Sequence, residues 1–308
     1  PLRYRPKKKK KEPRERRTLE KDDTNTGTSF LGSWMEYVCQ EVDISSLVAF
    51  RIMWGLIMCF ECYRFGVNNY AKLDHYYVEP EFFGEYYGFH WIFRMTRSQL
   101  HIFLKCMMAS SIGIATGTLY PISCLFFALS WSYLILLDSI IYLNHFYLIA
   151  IFAYVLILLP ANRSVSVDVL IFPSIYKSTM PRYNLLVLQL EQVIVYFYAG
   201  VAKCNEDWLR ASPVKFWLAA DYYKVSATVG PDIARILSCE LMAYVICYAG
   251  LIFDTFIGFF LMFSNGIVWY TSMISCIFFH CMNKILFSIG IFPQVMLIST
   301  TIFFTPTW

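Results

Sequence analysis

A single lysine, Lys203, ends a long apolar helix that the sequence predicts from Leu185 to Val201. At about 1.5 Å per residue this helix nearly crosses a hydrocarbon layer of about 30 Å. The Lys203 amine therefore lies near membrane depth, where lost hydration favours its neutral, basic form. Glu206 and Asp207 follow within one turn. The alternative is that Lys203 extends to the membrane surface as an anchor, as helix-end lysines commonly do.

Other ionisable side chains also interrupt apolar runs and are candidates for chemistry. Structural pairing is the favoured interpretation for Arg51, Glu240 and Asp254. His145 is a better catalytic candidate than His280, because the neighbouring amide of Asn144 adds donors and acceptors at a helix start. The candidates are Arg51, Glu61, Lys105, Asp138, His145, Glu191, Glu240, Asp254 and His280.

The ten cysteines are scattered and do not form a metal pattern. Cys59 and Cys62 have the spacing of a metal or redox pair, but both lie within the first predicted span, where packing is the default. We therefore expect no metal.

The composition indicates an integral membrane protein. Of 308 residues 57% are hydrophobic and only 16% are charged, and the apolar runs are long enough to span lipid repeatedly. We expect an all-α fold, a polytopic transmembrane helical bundle of about eight spans. The runs lie at about 46–64, 100–118, 121–138, 144–160, 185–201, 235–262, 266–281 and 287–304.

The net charge of +4 traces to the segment 3–17, which contains the unbroken block Lys7 to Lys11. We interpret residues 1–44 as a disordered basic tail with a flexible linker at 22–28, and residues 45–308 as the membrane domain. The tail is expected to stay in the cytosol beside anionic lipid, so membrane lipid is an expected partner and nucleic acid is not.

Eight alternating spans place three connections on the non-cytosolic side, at 139–144, 203–233 and 281–286. His145, Lys203 and His280 each lie next to one of them. Because backbone cannot be left exposed to lipid, a site here must consist mainly of side chains pointing into the bundle. We expect Asn144, His145 and Lys203 to converge on one cavity near this face.

Two segments resemble a known family. Residues 195–203, followed by Asp207 and Trp208, are similar to the catalytic-lysine segment of vitamin K-dependent gamma-glutamyl carboxylases, and residues 279–290 resemble that family's other strong signature. The resemblance extends over residues 46–304. Weaker matches lie at 46–51, 137–138, 144–145 and 166–168.

The resemblance implies a multi-pass enzyme of the endoplasmic reticulum membrane that converts glutamate in propeptide-bearing proteins to gamma-carboxyglutamate. The family consumes vitamin K hydroquinone, oxygen and carbon dioxide, and vitamin K epoxide is the second product. Lys203 matches the lysine held to deprotonate the hydroquinone, a task that suits a desolvated amine. His145 matches a histidine held to assist catalysis. Asn144 is placed to hydrogen-bond the cofactor, and His280 is either a cofactor contact or a structural residue between spans.

The sequence departs from the family pattern in two respects, and two alternative functions remain open. Family members often have two adjacent lysines where this chain has Ala202 and Lys203. The family's last span and large lumenal region do not follow here, so we expect a fragment with the cofactor-side chemistry. The alternatives are a non-catalytic membrane relative that keeps Lys203 for packing, and a transporter with a charged midplane site, although no internal repeat supports a transporter.

The predicted topology can be measured by cysteine accessibility. In a background without native cysteines, Tyr223→Cys in the connection 204–232 is expected to react with an impermeant maleimide only from the non-cytosolic side of sealed vesicles. Ser29→Cys in the tail is the control for the opposite side. Labelling of Tyr223→Cys from the cytosolic side would overturn the topology.

Overall fold

A computed structural model describes residues 30–66 and 73–304. The basic block and the linker predicted before residue 30 lie outside the described residues. The all-α fold class is confirmed. The helices are α1 (Phe30–Cys39), α2 (Ser45–Gly66), α3 (Arg97–Thr116), α4 (Tyr120–Leu136), α5 (Asn144–Leu158), α6 (Val167–Ile171), α7 (Tyr183–Ala202), α8 (Glu206–Leu209), α9 (Ser212–Ala220), α10 (Tyr222–Val229), α11 (Pro231–Leu237), α12 (Glu240–Phe263), α13 (Gly266–Leu286) and α14 (Phe292–Ser299).

Eight apolar helices of the described region lie close to the eight predicted runs: α2, α3, α4, α5, α7, α12, α13 and α14. Three of them, α2, α7 and α12, are long and apolar enough to cross a membrane. Helices α4 and α5 are shorter, and α14 continues into the 3₁₀ turn Thr300–Phe303. The protein is therefore an all-α membrane protein, and the number of crossings beyond three stays a prediction.

Residues 30–43, predicted as part of a disordered tail, instead form secondary structure. Helix α1 covers Phe30–Cys39, and Glu41–Asp43 forms strand β1. Strand β1 pairs antiparallel with β2 (Thr179–Pro181). This pairing joins segments that are far apart in sequence, so a local pattern in the tail does not indicate it.

The long helices share one apolar core in which helix backbones approach closely. Trp54 of α2 is fully buried and meets Phe127 edge-on, with ring centres 5.2 Å apart. A Cβ atom added at Gly55 would lie 2.5 Å from the backbone nitrogen of Ala115. Only glycine permits this approach of α2 to α3, the kind of contact that small residues provide between membrane helices.

A second, smaller core lies under the short helices α8 to α11. We call residues 204–238, which contain these helices, the cap. The core of the cap is built on the ends of α12 and α13. Its buried residues are Ala211, Val214, Leu218, Val225, Ala234, Ala243, Cys247 and Leu286.

Arg51 of α2 is fully buried, and its guanidinium donates to four backbone carbonyls. Nη1 donates to Ala161 O at 2.7 Å and Nη2 donates to Val165 O at 2.6 Å. Longer bonds, both 3.3 Å, reach Ser164 O and Ala115 O. Arg51 therefore has a structural role, through carbonyl oxygens instead of an acid.

Asp168 completes what we call the Arg51–Asp168 cluster. Its carboxylate accepts the backbone N–H groups of Leu119 at 2.7 Å and Tyr120 at 3.1 Å, and the amide of Asn162 at 2.8 Å. Leu119 and Val165 have positive φ angles of 43° and 46°, which residues with side chains rarely adopt. A charged side chain hydrogen-bonds to the backbone of each residue. Asp168 accepts the N–H group of Leu119, and Arg51 donates to the carbonyl oxygen of Val165.

Loss of the buried guanidinium should destabilise the fold. Arg51→Met leaves buried carbonyls without donors, and we expect a loss of about 3 kcal/mol or more, measured by denaturation in detergent micelles. Arg97→Met is the control, because it removes a largely exposed ion pair with Asp74 and should cost at most about 1 kcal/mol. Equal losses in the two variants would contradict the structural role of Arg51.

Candidate functional site

Lys203 follows the last residue of α7 and faces α12. Its Nζ donates to Asp254 Oδ2 at 2.6 Å and to Ala199 O at 3.2 Å, and lies 5.0 Å from the centre of the Trp208 ring. The three N–H groups of an ammonium thus have a carboxylate, a carbonyl and an aromatic face as partners. The side chains of Lys203 and Asp254 are 19% and 7% exposed, so Lys203 turns into the bundle instead of extending outward.

Two glycines let α7 and α12 approach closely enough for this ion pair. A Cβ atom at Gly200 would lie 2.8 Å from the backbone nitrogen of Thr255. A Cβ atom at Gly258 would lie 3.0 Å from the Cα atom of Val193. Thr255 directly follows Asp254, and Gly200 precedes Lys203 by three residues. The close crossing therefore brings the lysine opposite the carboxylate.

A cavity of about 250 Å³ adjoins the ion pair. Its walls are mainly aromatic and aliphatic, and they come from α7, α12, α13, α14 and the cap. Aromatic rings on the wall include Trp208, Trp217, Phe279 and Phe292. An apolar cavity with a few polar groups is the usual form of a small-molecule site. The polar side chains on the wall include Lys203, Asp254, Tyr196, His280 and Asn283.

His280 of α13 is 1% exposed and also lines this cavity. Its Nε2 lies 2.7 Å from the hydroxyl of Tyr196, which holds the imidazole ring in place. Its Nδ1 is buried and has no hydrogen-bond partner among the described residues. A buried polar atom without a partner is costly, and His280 lines the cavity, so its side chain is a candidate contact for a ligand there.

The structure brings together only part of the predicted site. Lys203 and His280 line the cavity, whereas Asn144 and His145 do not. His145 lies at the start of α5 and contacts Phe292, which lines the cavity. The ring centres of His145 and Phe292 are 5.8 Å apart, and those of Phe292 and His280 are 6.3 Å apart. Of the expected trio Asn144, His145 and Lys203, only Lys203 is among the residues that line the cavity, and His145 packs against a residue of its wall.

Asp254 is the site residue that sequence reasoning did not assign. Its interpretation as a pairing residue is confirmed, but the sequence did not indicate Lys203 as its partner. Helix α12 starts 14 residues before Asp254, so it extends about 20 Å past the level of Lys203. Residue counts from the ends of the two helices therefore do not predict that Lys203 and Asp254 lie at the same depth. The signal in the sequence for a site residue was an isolated carboxylate inside an apolar run.

Other predicted candidates have structural partners. Glu61 is almost fully buried and accepts two hydrogen bonds from Arg64, at 2.6 and 2.7 Å. Asp138 accepts the backbone N–H groups of Gly84 at 3.0 Å and Ile140 at 2.9 Å. Within the described ranges, no group of three or more His, Cys, Asp and Glu side chains could hold a metal ion.

The apolar helices, the buried charges and the cavity define an all-α membrane protein with a polar site inside its helical bundle. Residues 39–308 match the HTTM domain, and the chain belongs to the HTTM domain family. This domain occurs in vitamin K-dependent gamma-carboxylases, so the resemblance in the sequence is confirmed at the level of the domain. No solved structure gives a significant match to the chain.

The close crossing of α7 and α12 can be tested with two glycines. Gly200→Ala should destabilise the protein by about 1–3 kcal/mol, because its Cβ meets the backbone of Thr255. Gly250→Ala on α12 is the matched control, since the nearest atoms to its Cβ, including Lys203 Cε, are 3.9 Å away. Denaturation in detergent micelles compares them. Equal stabilities would contradict the tight crossing.

Proposed function

We propose that this protein carries out vitamin K-dependent carboxylation of peptide glutamate, with Lys203 as the base. The observation that carries the proposal is the Lys203–Asp254 pair on the wall of an apolar cavity within an HTTM domain. An amine positioned beside a bound hydroxyl can act as a general base, and the adjacent carboxylate stabilises the ammonium that forms when the amine takes the proton.

The residues of the cavity fit a flat, lipid-soluble ring with few polar groups. Trp208, Phe279 and Phe292 offer aromatic faces, and the side chains of Lys203 and His280 offer polar contacts. These residues would hold vitamin K hydroquinone. When bound, the hydroquinone would supply an acidic hydroxyl and the reducing equivalents that oxygen consumes, whereas carbon dioxide would be taken up by the deprotonated glutamate.

The side chains around Lys203 support proton transfer to Nζ. Asp254, Ala199 O and the Trp208 ring accept the N–H groups of the ammonium that results. Trp208 and Trp217 of the cap line the cavity and add apolar surface near Lys203, and apolar surroundings strengthen electrostatic interactions. Tyr196 fixes the ring of His280. His145 packs against Phe292, which lines the cavity, so it lies beside the cavity wall for an assisting role.

The occurrence of this domain in vitamin K-dependent gamma-carboxylases also supports a place and a substrate class. We propose that the protein works in the endoplasmic reticulum membrane, as a multi-pass protein in contact with membrane lipid. Its substrates are then glutamate-containing proteins with a propeptide.

Substitution of the lysine tests the proposal. Lys203→Ala should lower both hydroquinone epoxidation and peptide carboxylation in membranes containing the protein, by about 10²-fold or more, because both depend on the same base. Lys203→Arg should fail as well, since a guanidinium stays protonated. A small amine added to Lys203→Ala should partly restore epoxidation, following the amine's own basicity.

Lys215→Ala is the matched control. Lys215 also pairs with a carboxylate, Glu240 at 2.7 Å, and lies 4.6 Å from the centre of the Tyr244 ring, but it is on the cap and outside the cavity. Its loss should leave both reactions unchanged. Normal epoxidation by Lys203→Arg would contradict the assignment of the base. Low activity in Lys203→Ala without any amine rescue would favour a structural role for the lysine.

A further inference from the structure

We propose that Asp254 is a positioning residue for Lys203, which holds Nζ on the cavity wall and sets the pH range in which the amine is neutral. The catalytic meaning of this inference rests on the proposed function. The physical claim concerns only the two side chains and can be tested without substrate.

The geometry assigns Asp254 both tasks. Its Oδ2 lies 2.6 Å from Nζ, and the carboxylate is 7% exposed on a helix that the glycine crossing holds against α7. A hydrogen bond of this length fixes the position of Nζ. A full negative charge beside it also favours the ammonium over the amine.

The charge has a definite consequence for a base. An adjacent carboxylate stabilises the ammonium that forms when Nζ takes a proton, so it makes the amine a stronger base. Without that charge the amine becomes neutral at lower pH but accepts a proton less readily. Asp254→Asn keeps the shape and an acceptor oxygen while removing the charge, so it separates the two tasks.

Among the described residues, other titratable groups lie near the pair, and the charged Lys215 of the cap also acts on one of them, the Cys247 thiol. Asp254 acts electrostatically on the Tyr196 hydroxyl of α7 and on the Cys276 thiol of α13, and Lys203 acts on the Cys247 thiol of α12. His280 lines the same cavity and is hydrogen-bonded to Tyr196.

The chain holds a reference pair with the same chemistry. Lys215 bonds Glu240 at 2.7 Å on the cap, and this hydrogen bond raises the pKa of the Lys215 amine above its ordinary value. The two lysines therefore report on two carboxylates in a single sample.

The test is reductive methylation of the detergent-solubilised protein with formaldehyde and a borane across a pH series. Peptide mass spectrometry measures each lysine separately, because only the neutral amine reacts. In Asp254→Asn the pH of half-maximal methylation at Lys203 should fall by about one unit, with Lys215 unchanged. In Glu240→Gln only Lys215 should shift. Asp254→Glu should keep the original midpoint at Lys203.

An unchanged Lys203 midpoint in Asp254→Asn overturns the inference. Lys203 that reacts in neither protein overturns it too, because Nζ would then not face an open cavity. An unchanged Lys215 midpoint shows that the cap remains folded in the variant.

Parallel epoxidation assays separate this inference from the proposed function. In Asp254→Asn the acid limb of the pH profile should move to lower pH and the maximal rate should fall, whereas a purely structural loss would lower the rate equally at every pH. If Lys203→Ala is inactive but the methylation midpoint of Lys203 is unchanged in Asp254→Asn, only the inference about Asp254 is wrong. If that midpoint shifts but Lys203→Ala is fully active, only the proposed function is wrong.

Discussion

A charge inside an apolar helical bundle needs partners that replace the water it has lost, and this requirement organises the protein. The Arg51–Asp168 cluster links α2 to the end of α3, the start of α4 and the segment before α6. The Lys203–Asp254 pair links the end of α7 to the middle of α12. Each buried charge thereby selects which helices are neighbours. An apolar side chain could pack against any of several surfaces and would not select them in this way.

The two charged sites differ in whether they adjoin space that a ligand could occupy. In the Arg51–Asp168 cluster both guanidinium Nη atoms bind backbone carbonyls, and the carboxylate accepts three N–H groups. These contacts hold two backbone segments in rarely adopted conformations, which is a structural task. The Lys203–Asp254 pair instead adjoins open space, and His280 lines the same cavity. Space beside polar side chains is what a ligand requires.

Helix packing decides how close these groups come. Gly200 and Gly258 allow the backbones of α7 and α12 to meet, and this close crossing places a carboxylate within hydrogen-bond distance of Lys203. The cap then adds Trp208 to the ion pair and Trp217 to the cavity wall. The chain belongs to the HTTM domain family, a domain that occurs in vitamin K-dependent gamma-carboxylases, and the ion pair is the feature on which the proposed base chemistry rests.

The sequence by itself determined the all-α class and the approximate positions of the apolar helices, and it singled out Lys203 as a candidate, because composition and apolar run length are local properties. Alternation of the spans also brought Lys203 and His280 to one end. Only the tertiary structure decided that Asp254, 51 residues further along, is the partner of Lys203, since α12 extends past the end of α7. It also decided that His145 packs against Phe292 of the cavity wall, and that residues 41–43 form a strand. These features depend on contacts between distant segments, and no local pattern encodes such contacts.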